Sequence, residues 1–480
     1  MQNVIPRMAT LDNPAVQALE ADFKGVLVHP TDPNYDEVRA VYNAMIDRYP
    51  ALIARCADTV DVARAVNFAR DHQIKFAVRG GGHSGGGLGT LDDGLVIDLS
   101  LMNKVQVDPE TRTAWVEGGA TLADMDNATH AFGLAMPSGI NSTTGIGGLT
   151  LGGGLGHLTR HLGLTIDNLI AAQLVLADGS IVQTSADEHP DLFWAIRGGG
   201  GNFGVVTAFQ FQLHPISTVT LGLTFWALED AKRVMQWYRD FLPAQPDEVN
   251  GFFSFFVVPP NDPFPEELHH RNVCGVFWCY SGPQEQAEAL FAQVRHVAPL
   301  IFEFIAPLPY PTLQSMFDAG YPAGDQWYWK ADFIKEIPDA AIEQHIKFGS
   351  HLPTPQSTMH LYPIDGAAGR VGASDTAWAY RDARWGMVIV GVDPDPGKKE
   401  QLTEWARAYW EAIHPYSAGG AYVNMMMENE GQARVQAAYR HNYVRLAQIK
   451  SKYDPANLFR RNQNIEPAAS ASATGRRRDF

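Results

Sequence analysis

The segment that most constrains this chain is Arg79-Gly80-Gly81-Gly82-His83-Ser84-Gly85-Gly86-Gly87, which directly follows the apolar run 74–78. A strand delivered into six glycines leaves a backbone that can take positive φ and turn its N–H groups toward a ligand, because no Cβ blocks the approach. One arginine and one histidine stand in that bare loop. The spacing Gly80-x-Gly82-x-x-Gly85 matches a dinucleotide fingerprint, and Asp98 lies near the spacing of its ribose acid. That reading requires a helix to open at the third glycine, whereas 85–90 has no helical period and too much glycine to pack as one. The loop is therefore expected to cradle phosphate in another way.

A chain of 480 residues with 45% hydrophobic content is long enough for roughly two to four domains with sizeable cores. Acidic residues exceed basic ones by 53 to 37, a net charge of −16, which argues against a nucleic-acid partner. No run of 18 apolar residues exists, and residues 1–7 lack the basic and apolar blocks of a signal peptide, so the expectation is a cytoplasmic protein with no membrane partner. Cys56, Cys274 and Cys279 are an odd count without metal-ligand pairing, as suits buried thiols in a reducing compartment.

Asp58 is a candidate N-cap for a helix over 58–71, with Val62, Ala65, Val66 and Ala69 at helical spacing. A short strand is expected at 95–99, hairpins at 105–107/113–117 and 169–176/181–184, a helix over 122–132 closed by Gly133, and a half-buried strand over 205–213. Helices and hairpins mixed in this way predict an α+β fold. Beyond Pro215 glycine thins and aromatics rise. Strands near 221–226, 251–258, 273–280, 358–363 and 386–392 alternate there with helices near 228–242, 284–298, 338–350 and 398–413, which predicts one sheet backed by helices.

The glycine loop, with "GLVIDLSLMNKVQVD" after it, resembles the PCMH-type flavin-binding domain of the vanillyl-alcohol oxidase superfamily, in its berberine-bridge-enzyme-like branch. Further matches follow in order at 137–156, 192–209 and 442–465. The resemblance implies a two-part FAD-binding domain over 1–215, a substrate domain over 216–424 with a mainly antiparallel sheet, and a return over 425–467 that completes the FAD domain, while the Ala-Ser-rich and then arginine-rich composition of 468–480 reads as a flexible tail.

It also implies site residues. Arg79, Gly80, Gly81, Gly82, His83 and Ser84 would contact FAD, with His83 bonded covalently to the flavin 8α carbon; the loop chemistry alone leaves open a histidine that only hydrogen-bonds phosphate. Gly139, Asn141, Thr144, Gly145, Gly147, Gly148 and Gly152 offer a second glycine-lined surface, which on its own could be a tight structural crossing. Bicovalent members carry cysteine where this chain has Asn141, so the resemblance is to the single-link subgroup, like the bacterial 6-hydroxynicotine oxidases. Thr144 falls at the oxygen gate, Gly204 and Val206 near the adenine half, and Asn462 and Asn464 at the flavin edge, though these amides could equally cap a turn.

His157 and His161 have a metal-like spacing but no further ligands, so no metal is expected, and the resemblance, which places His157 where members often carry a bulky aromatic near the flavin, implies a substrate contact there. Trp329, Lys330 and Tyr380 are expected at the substrate, and Tyr439 as the general base or else a packed core tyrosine. The implied activity is oxidation of a small aromatic or polycyclic molecule by hydride transfer to flavin, with O₂ as acceptor. A flavin dehydrogenase, an oxidative cyclase and a flavin-loaded binding protein without turnover stay open.

Overall fold

The structure, a computed structural model, describes residues 13–469. The signal-peptide reading of residues 1–7 and nearly all of the expected tail lie outside these residues.

The helix Thr59–Asp71 starts where Asp58 accepts hydrogen bonds from the backbone N–H groups of Val60 and Asp61, which satisfies two donors of the first turn. Its buried face, Val62, Ala65, Val66 and Ala69, packs with Phe76, Leu95 and Ile97 of a four-stranded sheet. In that sheet Leu95–Asp98 lies between Leu52–Arg55 and Phe76–Arg79, parallel to both, and Val26–Val28 adds an antiparallel edge. Arg79 and Asp98 are register partners, and Arg79 Nη2 donates to Asp98 Oδ2 at 2.8 Å. The acid at ribose spacing is thus a buried partner of the loop arginine.

Both expected hairpins form, and the strand Val205–Gln212 joins them into one five-stranded sheet. The helix Leu122–His130 carries a capping box from Thr121 and Asp124 and gives way to Gly133 at φ +70°.

The third sheet has seven strands, antiparallel at every pairing, in the order Leu300–Pro309, Thr218–Trp226, Asn272–Tyr280, Val249–Val257, Thr358–Pro363, Trp385–Asp393 and Gln326–Ile334. The first and last strands in that order, both at edges, are additions to the five expected from sequence. The helices Ala231–Phe241, Asp339–Gly349 and Lys399–Ile413 pack together behind the sheet.

The helix Asn442–Tyr453 returns against Pro190–Ile196. Its buried Lys450 pairs with Asp454 at 2.6 Å and donates to the carbonyls of Asn202 and Phe459. Three acceptors around one ammonium offset its desolvation and fix the turn that carries residues 459–465.

Candidate functional site

One cavity of about 380 Å³ lies between the two glycine motifs and the seven-stranded sheet. Its floor is backbone. Gly82 turns at φ +72°, which presents His83 from the end of the strand Phe76–Arg79. Gly81 and Gly145 cross so closely that a Cβ on Gly145 would stand 2.3 Å from Gly81 N. The two motifs are therefore a tight crossing and a shared cavity wall at once. Arg79, Gly80 to Ser84, Gly139, Asn141, Thr144, Gly145, Gly147, Gly148, Gly204, Val206 and Asn462 all line the cavity.

Its roof is made of side chains. Strand residues alternate between faces, so Trp327 and Trp329, then Thr358, His360 and Tyr362, then Val388 and Val390 point into the cavity. Buried Asn43 ties roof to floor. Its Nδ2 donates to the carbonyls of Gly85 (2.8 Å) and Trp327 (2.9 Å), and its Oδ1 accepts from Trp327 N (3.0 Å).

His83 is half-buried, with Tyr42 stacked on its ring at a centroid distance of 3.9 Å. Burial lowers its pKa to about 4, so the imidazole is neutral and keeps a lone pair. On the roof, His360 Nδ1 and the Tyr362 hydroxyl are hydrogen-bonded. Desolvation lowers the pKa of His360 to about 3 and pushes the Tyr362 phenol well above its ordinary range. The pair is a neutral proton donor–acceptor couple facing the cavity. Sequence reading missed it, although a polar residue at every inward position of the apolar strand Thr358–Pro363 was the available signal.

Five expected site residues fall outside the wall. Lys330 lies one residue out of phase with Trp327 and Trp329, so it points to the back of the sheet, where it pairs with Glu430 (2.7 Å) over the Trp410 ring. Tyr380 is stacked on Phe333, covered by the Arg440 guanidinium, and donates its hydroxyl to Ala437 O. His157 is buried behind Phe317, which does line the cavity, with ring centroids 6.5 Å apart. His157 also precedes the helix Thr159–Leu162 that holds His161, and His161 bonds Ser281, so the two histidines do not converge. Gly152 lies under Asn424, which takes its place in the wall. At 464 the side chain stays out of the cavity, and Gln463 lines it instead.

Tyr439 does reach the cavity, against the loop at Gly200. Burial first, then Tyr443, pushes its phenol above the ordinary range. The neighbouring cations are engaged elsewhere: Arg440 pairs with Asp382 at 2.6 Å and His441 bonds Ser374 at 3.0 Å. Among the described residues neither cation favours phenolate, so Tyr439 lines the wall as a neutral phenol.

The residues present fit a bound FAD. A Cβ built on Gly148 or Gly201 would meet no protein atom within 4 Å, so both keep open wall that a side chain would fill. The buried Asn462 Oδ1, Trp329 Nε1 and Tyr439 hydroxyl line the same cavity without a partner in the protein. Cys56, Cys274 and Cys279 are buried, and none lines it. Among the described residues no group of three or more His, Cys, Asp or Glu could hold a metal, and no helix is long and apolar enough to cross a membrane.

Comparison with known proteins agrees. The FAD binding domain family matches residues 50–185, and the family described as berberine and berberine like matches 421–466. An uncharacterised FAD-linked oxidoreductase of Bacillus subtilis is 32% identical over 92% of this chain and 97% of its own length. The (R)-6-hydroxynicotine oxidase of Paenarthrobacter nicotinovorans is 30% identical over 94% of this chain and 99% of its own. The crystal structure of 6-hydroxy-D-nicotine oxidase from Arthrobacter nicotinovorans superposes with a TM-score of 0.82 at 27% identity, over 92% of this chain and 98% of that one.

Proposed function

This chain belongs to the berberine-like FAD-linked oxidoreductases, and we propose that it is an oxidase acting on a flat, uncharged aromatic or polycyclic molecule, with O₂ as acceptor and H₂O₂ released. The observation that carries the reading is the roof: Trp327, Trp329, Val388 and Val390 face the cavity, and the titratable groups beside them, on His360 and Tyr362, are neutral. Such a surface matches a planar apolar ring better than a free sugar, whose hydroxyls would need many more partners.

When bound, FAD supplies the hydride acceptor, flavin N5, and passes the electrons to O₂. The loop 79–84 and Gly145, Gly147, Gly148, Gly204, Val206 and Asn462 would hold it, with His83 as the covalent anchor. Asn141 cannot form a thioether, so that anchor is single.

Trp327 and Trp329 orient the substrate ring and exclude water from it. Tyr362 Oη takes the O–H or N–H proton of the substrate as its own proton passes to His360 Nδ1, so neither group has to be ionised beforehand. Thr144 is the gate residue through which O₂ reaches the cavity. Its short side chain keeps that path open.

The test is a screen of aromatic alcohols and amines that follows anaerobic bleaching of the yellow protein and peroxide release in air. The reading predicts both signals with the same compounds. Bleaching without peroxide would make the protein a dehydrogenase, and neither signal would make it a binding protein.

A further inference from the structure

The turn at 141–143 determines which nitrogen of His83 carries the lone pair. Asn141 Oδ1 accepts two hydrogen bonds from Thr143, one from the backbone N at 3.1 Å and one from Oγ1 at 2.6 Å. A backbone amide can only donate, so the Asn141 atom is its carbonyl oxygen, and the single hydroxyl proton of Thr143 is committed to it. Thr143 Oγ1 therefore offers only a lone pair to His83 Nε2, 2.8 Å away. An imidazole that donates from Nε2 and is neutral keeps its lone pair on Nδ1. Tyr42 stacks on the same ring at an interplanar angle of 23° and holds its plane.

We propose that Asn141 and Thr143 are positioning residues for flavin attachment: they hold His83 as the Nε2–H tautomer and so make Nδ1 the nucleophile. The proposal rests on the reading that His83 carries the covalent link. In the attachment the Nδ1 lone pair forms a C–N bond to the flavin 8α carbon, and one methyl C–H bond breaks. The two electrons of that C–H bond reduce the flavin ring. The methyl proton and the Nε2 proton, the latter released to solvent beside exposed Thr143, balance the two protons that the reduced ring takes up. O₂ then accepts two electrons and two protons as H₂O₂ and restores the oxidised ring. The position at which bicovalent members carry a second anchor here orients the first.

The test uses the full chain, made in riboflavin-limited cells and incubated with FAD in air. Attachment is followed as flavin that stays with acid-precipitated protein, and non-covalent FAD binding is measured separately. Thr143→Val, whose side chain is not part of the cavity wall, should bind FAD normally yet attach it roughly three- to tenfold more slowly, the value of one lost hydrogen bond to the reactive tautomer, and Asn141→Ala, compared at saturating FAD because Asn141 lines the cavity, should attach it as slowly. Thr143→Ser, which keeps the hydroxyl, should restore the rate. Attachment at the wild-type rate in Thr143→Val, or no rescue by serine, would overturn the relay while leaving the His83 link intact. Wild-type protein that releases all its flavin into acid would instead overturn the link, and the relay with it.

Discussion

The floor and the roof of the cavity face the same ligand but are built by opposite means. The floor is two glycine motifs whose backbones cross at Gly81 and Gly145, with one reactive side chain, His83. The roof is antiparallel sheet whose backbone is largely engaged in pairing, so what it offers comes from every second side chain. A backbone-built surface tolerates almost no change of residue type, which suits a part that holds the cofactor. A side-chain-built surface can be rewritten without disturbing the sheet, which suits the part that meets substrate.

The largest expected effect breaks the comparison if it falls on the wrong side. His360→Ala and Tyr362→Phe, both on the roof, should slow anaerobic flavin reduction by roughly 10²–10⁴ in stopped-flow with a substrate from the screen. Tyr439→Phe, beside the floor loop at Gly200, should stay within a few-fold. The reverse order would move the proton chemistry to the floor.

Two floor glycines sharpen the contrast next. Gly145→Ala puts a Cβ 2.3 Å from Gly81 N, and backbone on both sides leaves no flexible group to give way, so it should cost about 1–3 kcal/mol of stability in a urea melt. Gly148→Ala meets nothing within 4 Å; it should leave the melt unchanged and weaken FAD binding, because the methyl enters the cofactor's space. Equal melting behaviour of the two variants would mean that the crossing does not constrain the fold. Thr144→Leu should then slow reoxidation by O₂ with little change in anaerobic reduction.

The last effect concerns acid. His157, His345 and His360 are buried with pKa values near 3 from desolvation, against an ordinary 6.5. Between those values the unfolded chain binds protons that the folded chain does not, so stability falls as pH is lowered from 6.5 toward 3 and is unaffected by these groups above 7. The thermal midpoint should therefore drop across pH 6.5 to 4.5. The proposed proton couple on the roof stays neutral over that range, so the rate of flavin reduction should not drop with it.

The same contrast explains what could be read from sequence. Glycine clusters announce themselves because few other settings need them, and His83 stands alone among them, so most of the floor's lining was legible, while Gly152 lies under Asn424 instead. The strand Gln326–Ile334 was not, since Gln326, Lys330 and Asp332 interrupt its apolar pattern, and Lys330 and Asp332 serve the ion pairs behind the sheet. Without that strand there was no register, and Lys330 could not be told from Trp329 as the inward residue. Tyr380 and His157 misled for a related reason: an aromatic or histidine near the site in sequence is as readily packed behind the wall as set into it. His360 and Tyr362 needed both the strand and its facing partner to be seen as a pair.

The most direct test of the account is to digest the acid-precipitated wild-type protein and map its flavin by mass spectrometry. The floor as described predicts one flavin per chain, on the peptide that contains His83, and none on the peptides of Cys56, Cys274 or Cys279. Flavin left in the acid supernatant, or found on a cysteine peptide, would contradict a backbone-built floor with His83 as its single anchor.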